Sequence, residues 1–115
     1  MFKTAGIEVY LQSDDGKYGH GSLVTNYLEQ VLENHKIDRV YICGSKRLTK
    51  ACHNLSVRYG MKAQVALEQY MSCGIGACKG CVVDLYKDET RTEKTHKRVC
   101  KEGPVFWTWE AVEND

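Results

Sequence analysis

The sequence has 115 residues, 43% of them hydrophobic, which suits one domain-sized chain with a modest core. A formal charge of +1, with both signs interspersed, argues against the basic stripe of a dedicated nucleic-acid binder. No apolar run approaches the ~18 residues of a membrane span, and Met1 to Tyr10 lack a signal peptide's apolar core and cleavage site, so a cytoplasmic protein is expected.

In chain order, Ile7 to Leu11 alternates apolar and polar residues and predicts a strand. Ser13-Asp14-Asp15-Gly16 predicts a turn, and Tyr18-Gly19-His20-Gly21 a loop. This loop is either a nucleotide contact or a plain turn into a helix, and the plain turn is the expectation. Ser22 is placed as the cap of a helix running to about Asn34, with Leu23, Tyr27, Leu28, Val31 and Leu32 on one face. Val40 to Cys43 is a short apolar run, the pattern of a parallel strand buried on both faces. A second helix is predicted over Lys46 to Tyr59 with Gly60 just past its end, and a strand over Ala63 to Leu67. Strand, helix, strand, helix, strand is a βαβαβ unit. The expected fold class is therefore α/β with a partial parallel sheet, about half of a usual nucleotide-binding sheet.

After residue 68 the chain changes character. Ser72 to Gly80 is rich in Gly and Cys. Val82 to Tyr86 reads as a strand and Lys97 to Cys100 as its return, with the charged Lys87 to His96 stretch as a hairpin loop. Pro104 to Trp107 is a last apolar patch. Two domains are expected: a nucleotide-binding-like α/β part over 1–68 and a loop-hairpin module over 69–115.

The chain holds six cysteines, many for its length, and where no export signal is read such clusters more often bind metal than pair as disulfides. Cys73, Cys78 and Cys81 are followed by eighteen residues and then Cys100, which is C-x4-C-x2-C…C. That is the spacing of plant-type [2Fe-2S] ligation. Such a cluster is anionic and needs a loop that wraps it closely. Gly74, Gly76 and Gly80 permit left-handed backbone and N–H groups aimed at sulfur, and Lys79, Lys97 and Lys101 are candidates to offset charge. Tetrahedral zinc also takes four cysteines, usually as two close pairs. A structural zinc-binding or redox-sensing module is thus the alternative reading.

Cys52 falls mid-helix and reads as a buried thiol. Cys43 ends a strand just before Gly44, where open α/β sheets bind ligands, so it faces either a ligand or the core. His20, His35, His53 and His96 are placed on surfaces, and the two histidines a Rieske-type site needs are not supplied. Trp107 and Trp109 read as a docking patch or as packing under the hairpin.

Met71 to Val83, with Lys97 to Phe106, resembles the electron-transfer subunit of the heteromeric, NAD-linked dihydroorotate dehydrogenase. Ser13 to Gly21 and Tyr41-Ile42-Cys43-Gly44 are similar to the second half of that subunit's ferredoxin-reductase-like nucleotide domain. The resemblance implies that Cys73, Cys78, Cys81 and Cys100 are the cluster's four metal ligands. It also implies that Cys43 and Gly44 form a turn near nicotinamide and flavin. It further implies a route from NADH through FAD and the cluster to the flavin of a catalytic partner that makes orotate in pyrimidine biosynthesis. The family's proline after Cys-Gly is Ser45 here, and the hairpin before Cys100 looks longer than usual. No residues match the family's flavin barrel or Gly-rich turn, so FAD and NAD are expected only through a partner chain. The expectation is an electron-transfer component of a hetero-oligomer with a flavoprotein subunit, not a complete enzyme alone.

Overall fold

The computed structural model describes residues 4–13, 17 and 23–114. It forms two compact units, Met1–Lys36 and Ile37–Asp115.

The first unit holds helix α1, Val24–Asn34, where Tyr27, Leu28, Val31 and Leu32 recur at helical spacing and Leu32 is buried. It ends where His35 turns extended and its N–H donates to Val31 O at 2.8 Å. Ser22, expected as the cap, lies outside the described residues, as do Asp14-Asp15-Gly16 and Tyr18-Gly19-His20-Gly21. The strand expected over Ile7 to Leu11 is not formed. No ladder runs there among the described residues, and only Gln12 makes an isolated bridge. Ile7, Tyr10 and Leu11 are all more than half exposed. Alternation specifies a strand only when a neighbour pairs its backbone and a core accepts its apolar side. Instead the Tyr10 ring lies 5.1 Å from that of Tyr27.

The second unit begins with β1, Arg39–Ile42, which leads into helix α2, Lys46–Tyr59. Ser45 caps α2 by accepting the Leu48 N–H on Oγ at 3.2 Å, and Gly60 ends it in the left-handed conformation at φ 69°. The helix spans the expected residues and Gly60 ends it as expected, while the Ser45 cap was not foreseen. Strand β2, Lys62–Ala66, then pairs parallel to β1, with Val40 opposite Ala63 and Ile42 opposite Val65. This is the partial parallel sheet of the expected α/β class. Its third strand differs from the expectation: it is β5, Val105–Trp107, which pairs antiparallel to β2 with Phe106 opposite Val65. Short and lying after the hairpin, β5 bridges the expected boundary at residue 68. Nor is β1 covered on both sides, since Tyr41 is 69% exposed. Its face of the sheet carries Gln64 and Trp107, with the Arg39 guanidinium 5.7 Å over the Trp107 ring.

Between β2 and β5 the chain builds an antiparallel hairpin, β3 (Val82–Tyr86) and β4 (Lys94–Arg98). Leu85, Val99, Cys81 and Phe106 are buried together, with Leu67, Val83, Cys100 and Ala111 packed on them. A short helix the sequence reading missed, α3 (Thr108–Ala111), closes the unit. Its Glu110 is buried but satisfied, accepting the Trp107 N–H at 2.8 Å and the Lys97 ammonium at 2.8 Å. His53, expected at the surface, is buried, because α3 covers it. His53 Nδ1 and Thr108 Oγ1 share a hydrogen bond of 2.9 Å. Cys52 is buried as expected. No helix among the described residues is long and apolar enough to cross a membrane.

Candidate metal centre

Cys73, Cys78 and Cys81 lie on the irregular segment that joins β2 to β3, and Cys100 on the turn after β4. The hairpin register brings the ends together. Val82 pairs with Arg98, and the Val99 N–H donates to Cys81 O at 3.3 Å. The fourth thiol is therefore returned beside the third by ordinary β pairing, across the long sequence gap.

The loop aims backbone donors at sulfur. The N–H groups of Ile75 and Cys78 each donate to Cys73 Sγ at 3.4 Å. Gly80 N–H donates to Cys78 Sγ at 3.3 Å, and Cys100 N–H to Cys81 Sγ at 3.4 Å. Hydrogen bonds to a charged form favour it. Accordingly, donation from Cys78 and then Ile75 lowers the Cys73 thiol to about 6. Donation from the Cys100 backbone lowers Cys81. Cys100 is pushed up, first by its side-chain contact with Cys81, then by burial and by the Cys81 charge, with Cys73 a lesser repulsion. Thiolate is the form that binds metal. The contacts sort the four sulfurs into two pairs, Cys73 with Cys78 and Cys81 with Cys100. Among the described residues, no three His, Cys, Asp or Glu side chains stand ready around one metal ion.

The backbone achieves this with left-handed residues at Gly74 (φ 70°), Gly76 (φ 87°) and Lys79 (φ 59°). Gly80, expected to be left-handed, is not; the preceding lysine takes that turn. A Cβ at Gly80 would meet Cys78 Sγ at 3.4 Å, an ordinary contact, so the space alone does not demand glycine there. Of the three lysines expected to offset charge, Lys97 is held by Glu110 and Lys101 packs against Gly76. The cation the sequence reading missed is Arg98, whose Nη1 donates to Gly76 O at 2.7 Å. An Arg two residues before a cysteine ligand candidate was the available signal.

Cys43 and Gly44 lie just past the C-terminal end of β1, ahead of the α2 cap, and Cys43 is exposed. A Cβ on Gly44 would meet Leu48 Cδ2 at 2.5 Å, so the turn sits tight on α2. His96 is exposed and pairs with Asp84 across the hairpin at 2.5 Å. Around the thiol loop, Tyr70, Met71 and Ile75 are exposed apolar residues.

Known proteins align with this arrangement. A family model described as the iron-sulfur cluster binding domain of dihydroorotate dehydrogenase B matches residues 68–112. An electron transfer subunit of dihydroorotate dehydrogenase B (NAD(+)) from Caldanaerobacter subterraneus subsp. tengcongensis is 38% identical over 105 residues, covering 91% of this chain and 40% of the relative. The corresponding subunit from Geobacillus thermodenitrificans is 40% identical over 106 residues, covering 91% and 38%. The chain thus spans about two fifths of the length of these curated relatives. A solved structure of an NADH-dependent reduced ferredoxin-NADP oxidoreductase, described for flavin-based electron bifurcation, superposes with a TM-score of 0.75 at 26% identity. That match covers 95% of this chain and 37% of the other. Residues 68–112 thus match the iron-sulfur cluster binding domain of dihydroorotate dehydrogenase B, and most of the chain is similar to part of that enzyme's electron transfer subunits.

Proposed function

We propose that Cys73, Cys78, Cys81 and Cys100 hold a [2Fe-2S] cluster and that the chain is a one-electron relay in a flavin- and NAD-linked oxidoreductase of the dihydroorotate dehydrogenase type. The observation that carries the proposal is the pairing of the thiols under four N–H···S bonds. Two irons with two thiolates each call for two pairs; one zinc ion calls for four sulfurs around a single point. The donor set fits the cluster. It is all sulfur, and two of its members are biased toward thiolate by the backbone.

When bound, such a cluster accepts and donates single electrons. The chain's own part is to hold and shield. N–H groups from Ile75, Cys78, Gly80 and Cys100 place partial positive charge on the sulfurs, which favours the reduced form. Val99 and Phe106 form a dry floor beneath Cys81. Cys73 and Cys78 lie on the more exposed side of the loop. That is the side from which a redox partner approaches most closely.

In this reading residues 69–115 carry the cluster and residues 1–68 supply a nucleotide-domain-like surface. The exposed Cys43-Gly44 turn, at the C-terminal end of a parallel strand, faces the nicotinamide or flavin bound by a partner chain. The chain works in the cytoplasm, in a hetero-oligomer with a flavoprotein and a dihydroorotate dehydrogenase-like catalytic subunit, serving pyrimidine biosynthesis. The test is metal and sulfide analysis of the chain purified without oxygen. Equimolar iron and acid-labile sulfide, with visible absorption bleached by dithionite, are expected. A colourless protein with stoichiometric zinc refutes the proposal.

A further inference from the structure

Arg98 has more structural duties than a surface cation. Its carbonyl accepts N–H groups from Lys101, Glu102 and Gly103 at 3.1, 2.9 and 3.3 Å, which builds the turn that carries Cys100. Its own N–H donates to Glu102 Oε2 at 2.7 Å, and its Nε lies 3.1 and 3.2 Å from the two Glu102 oxygens. Arg98 Nη2 completes the fork on Glu102 Oε1 at 2.5 Å. An ion pair with both side chains partly exposed adds little by itself. What sets this one apart is the free end of the guanidinium, where Nη1 donates to the Gly76 carbonyl across the loop at 2.7 Å.

Gly76 lies between the two residues whose N–H groups face Cys73 Sγ, Ile75 and Cys78. The peptide planes of this stretch are linked through few free torsions. Holding the Gly76 oxygen toward Arg98 therefore limits how far the neighbouring N–H groups can turn from the sulfur. The approach is close: a Cβ on Gly76 would lie 3.1 Å from Arg98 Nη1 and 2.8 Å from Lys101 Cδ. Thus the turn bearing Cys100 is latched to the loop bearing Cys73 and Cys78 by one side chain. The planar, multi-donor guanidinium suits the task, because it grips a carboxylate with one edge and keeps a donor free for a third atom.

We propose that Arg98, braced by Glu102, is a positioning residue that latches the thiol loop to the Cys100 turn and so sets cluster retention and reduction potential. The inference rests on the cluster reading above, and it makes separable claims about geometry and charge. Arg98→Met removes both. Arg98→Lys keeps the charge and loses the fork.

The experiment uses the full chain purified anaerobically, in unaltered, Arg98→Met, Arg98→Lys and Glu102→Gln forms, with circular dichroism to confirm folding. Three readouts are followed: decay of visible absorption under an iron chelator, midpoint potential, and amide hydrogen exchange at Ile75 and Cys78 in the metal-free chain. A charge-assisted bond of this kind predicts about tenfold faster decay and exchange in Arg98→Met. A more negative midpoint potential accompanies it. Arg98→Lys recovers the potential but not the decay rate, and Glu102→Gln shows a smaller change in decay of the same sign. Unaltered decay and exchange in a folded Arg98→Met chain overturn the latch. If the unaltered chain binds no iron, the cluster reading fails; hydrogen exchange then still decides whether Arg98 orders the loop.

Discussion

Replacing Gly76 with alanine, beside the control Gly60→Ala, isolates what the thiol loop demands of its backbone. Both glycines are left-handed, at φ 87° and φ 69°. An L-residue in that region costs about 1–2 kcal/mol, offset by roughly 0.4–1 kcal/mol because alanine narrows the unfolded ensemble. Gly60 has nothing within 4 Å of an added Cβ, so its net cost stays at about 1 kcal/mol. Gly76 meets Lys101 Cδ at 2.8 Å, Arg98 Nη1 at 3.1 Å and Lys101 Cβ at 3.3 Å. The lysine's outer carbons swing aside cheaply. Displacing the guanidinium from the Gly76 oxygen forfeits a charge-assisted bond worth about 1.5–3 kcal/mol. The total for Gly76→Ala is about 2.5–4 kcal/mol, held mostly within the loop. Anaerobic chelator challenge, followed by visible absorption, and thermal unfolding, followed by circular dichroism, separate the two variants. Gly60→Ala lowers Tm by about 4–8 °C and keeps iron as the unaltered chain does. Gly76→Ala loses iron about a hundredfold faster. Equal rates of iron loss in the two variants refute the close-approach argument.

Three further outcomes are expected. Leu85→Ala, at a site 2% exposed in the hairpin core, destabilises by about 2–5 kcal/mol in urea unfolding. Ser45→Ala removes the α2 cap and costs about 0.5–2 kcal/mol, which Ser45→Asp recovers in the same assay. Burial, and then the nearby Arg91 charge, lower the His53 pKa below 6.5, so the folded state resists protonation. That contribution is complete above pH 6.5 and lost as pH falls below it, with a slope of at most about 1.4 kcal/mol per pH unit. Stability measured from pH 7.5 to 5.5 therefore falls more steeply in the unaltered chain than in His53→Gln, and parallel curves refute the assignment.

Local chemistry explains which parts were legible in the sequence. Helix α2 was readable in extent, because an amphipathic run ends at Gly60, a strong stop signal; its Ser45 cap was missed. The cysteine spacing and the first hairpin strand were readable too, but the return strand was placed too late. β4 is Lys94–Arg98, not Lys97 to Cys100, because the charged residues 94–96, expected in the loop, pair with β3 and leave Cys100 on the turn beyond. Strand β5 was not readable. Its three residues carry no periodicity, and its partner β2 lies some forty residues back along the chain, so only the folded sheet defines it. His53 looked like a surface residue because the helix that buries it, α3, is four residues long. Arg91 sat in a stretch expected to be a solvated hairpin tip. Instead its Nη1 lies 3.5 Å from His53 Nε2 and its guanidinium 4.9 Å over the Tyr86 ring. Arginine only donates, so Nε2 accepts and the His53 proton sits on Nδ1 toward Thr108. Within the site, the left-handed Lys79 was missed because glycine is the default expectation for that conformation and Gly80 stood next to it.

One hydrogen bond described by neither the sheet nor the hairpin has a mechanical effect. The Leu67 N–H donates to Pro104 O at 2.9 Å, where the chain leaves β2 and where it comes back to β5. Everything between those two residues, all four thiols included, hangs from a cinched neck with both strands rooted in one sheet. A cargo held there cannot swing like a lipoyl or biotinyl arm. In the electron relay proposed above, the acceptor must therefore come to the thiol loop, because the loop is rooted at both ends and is not built to reach out.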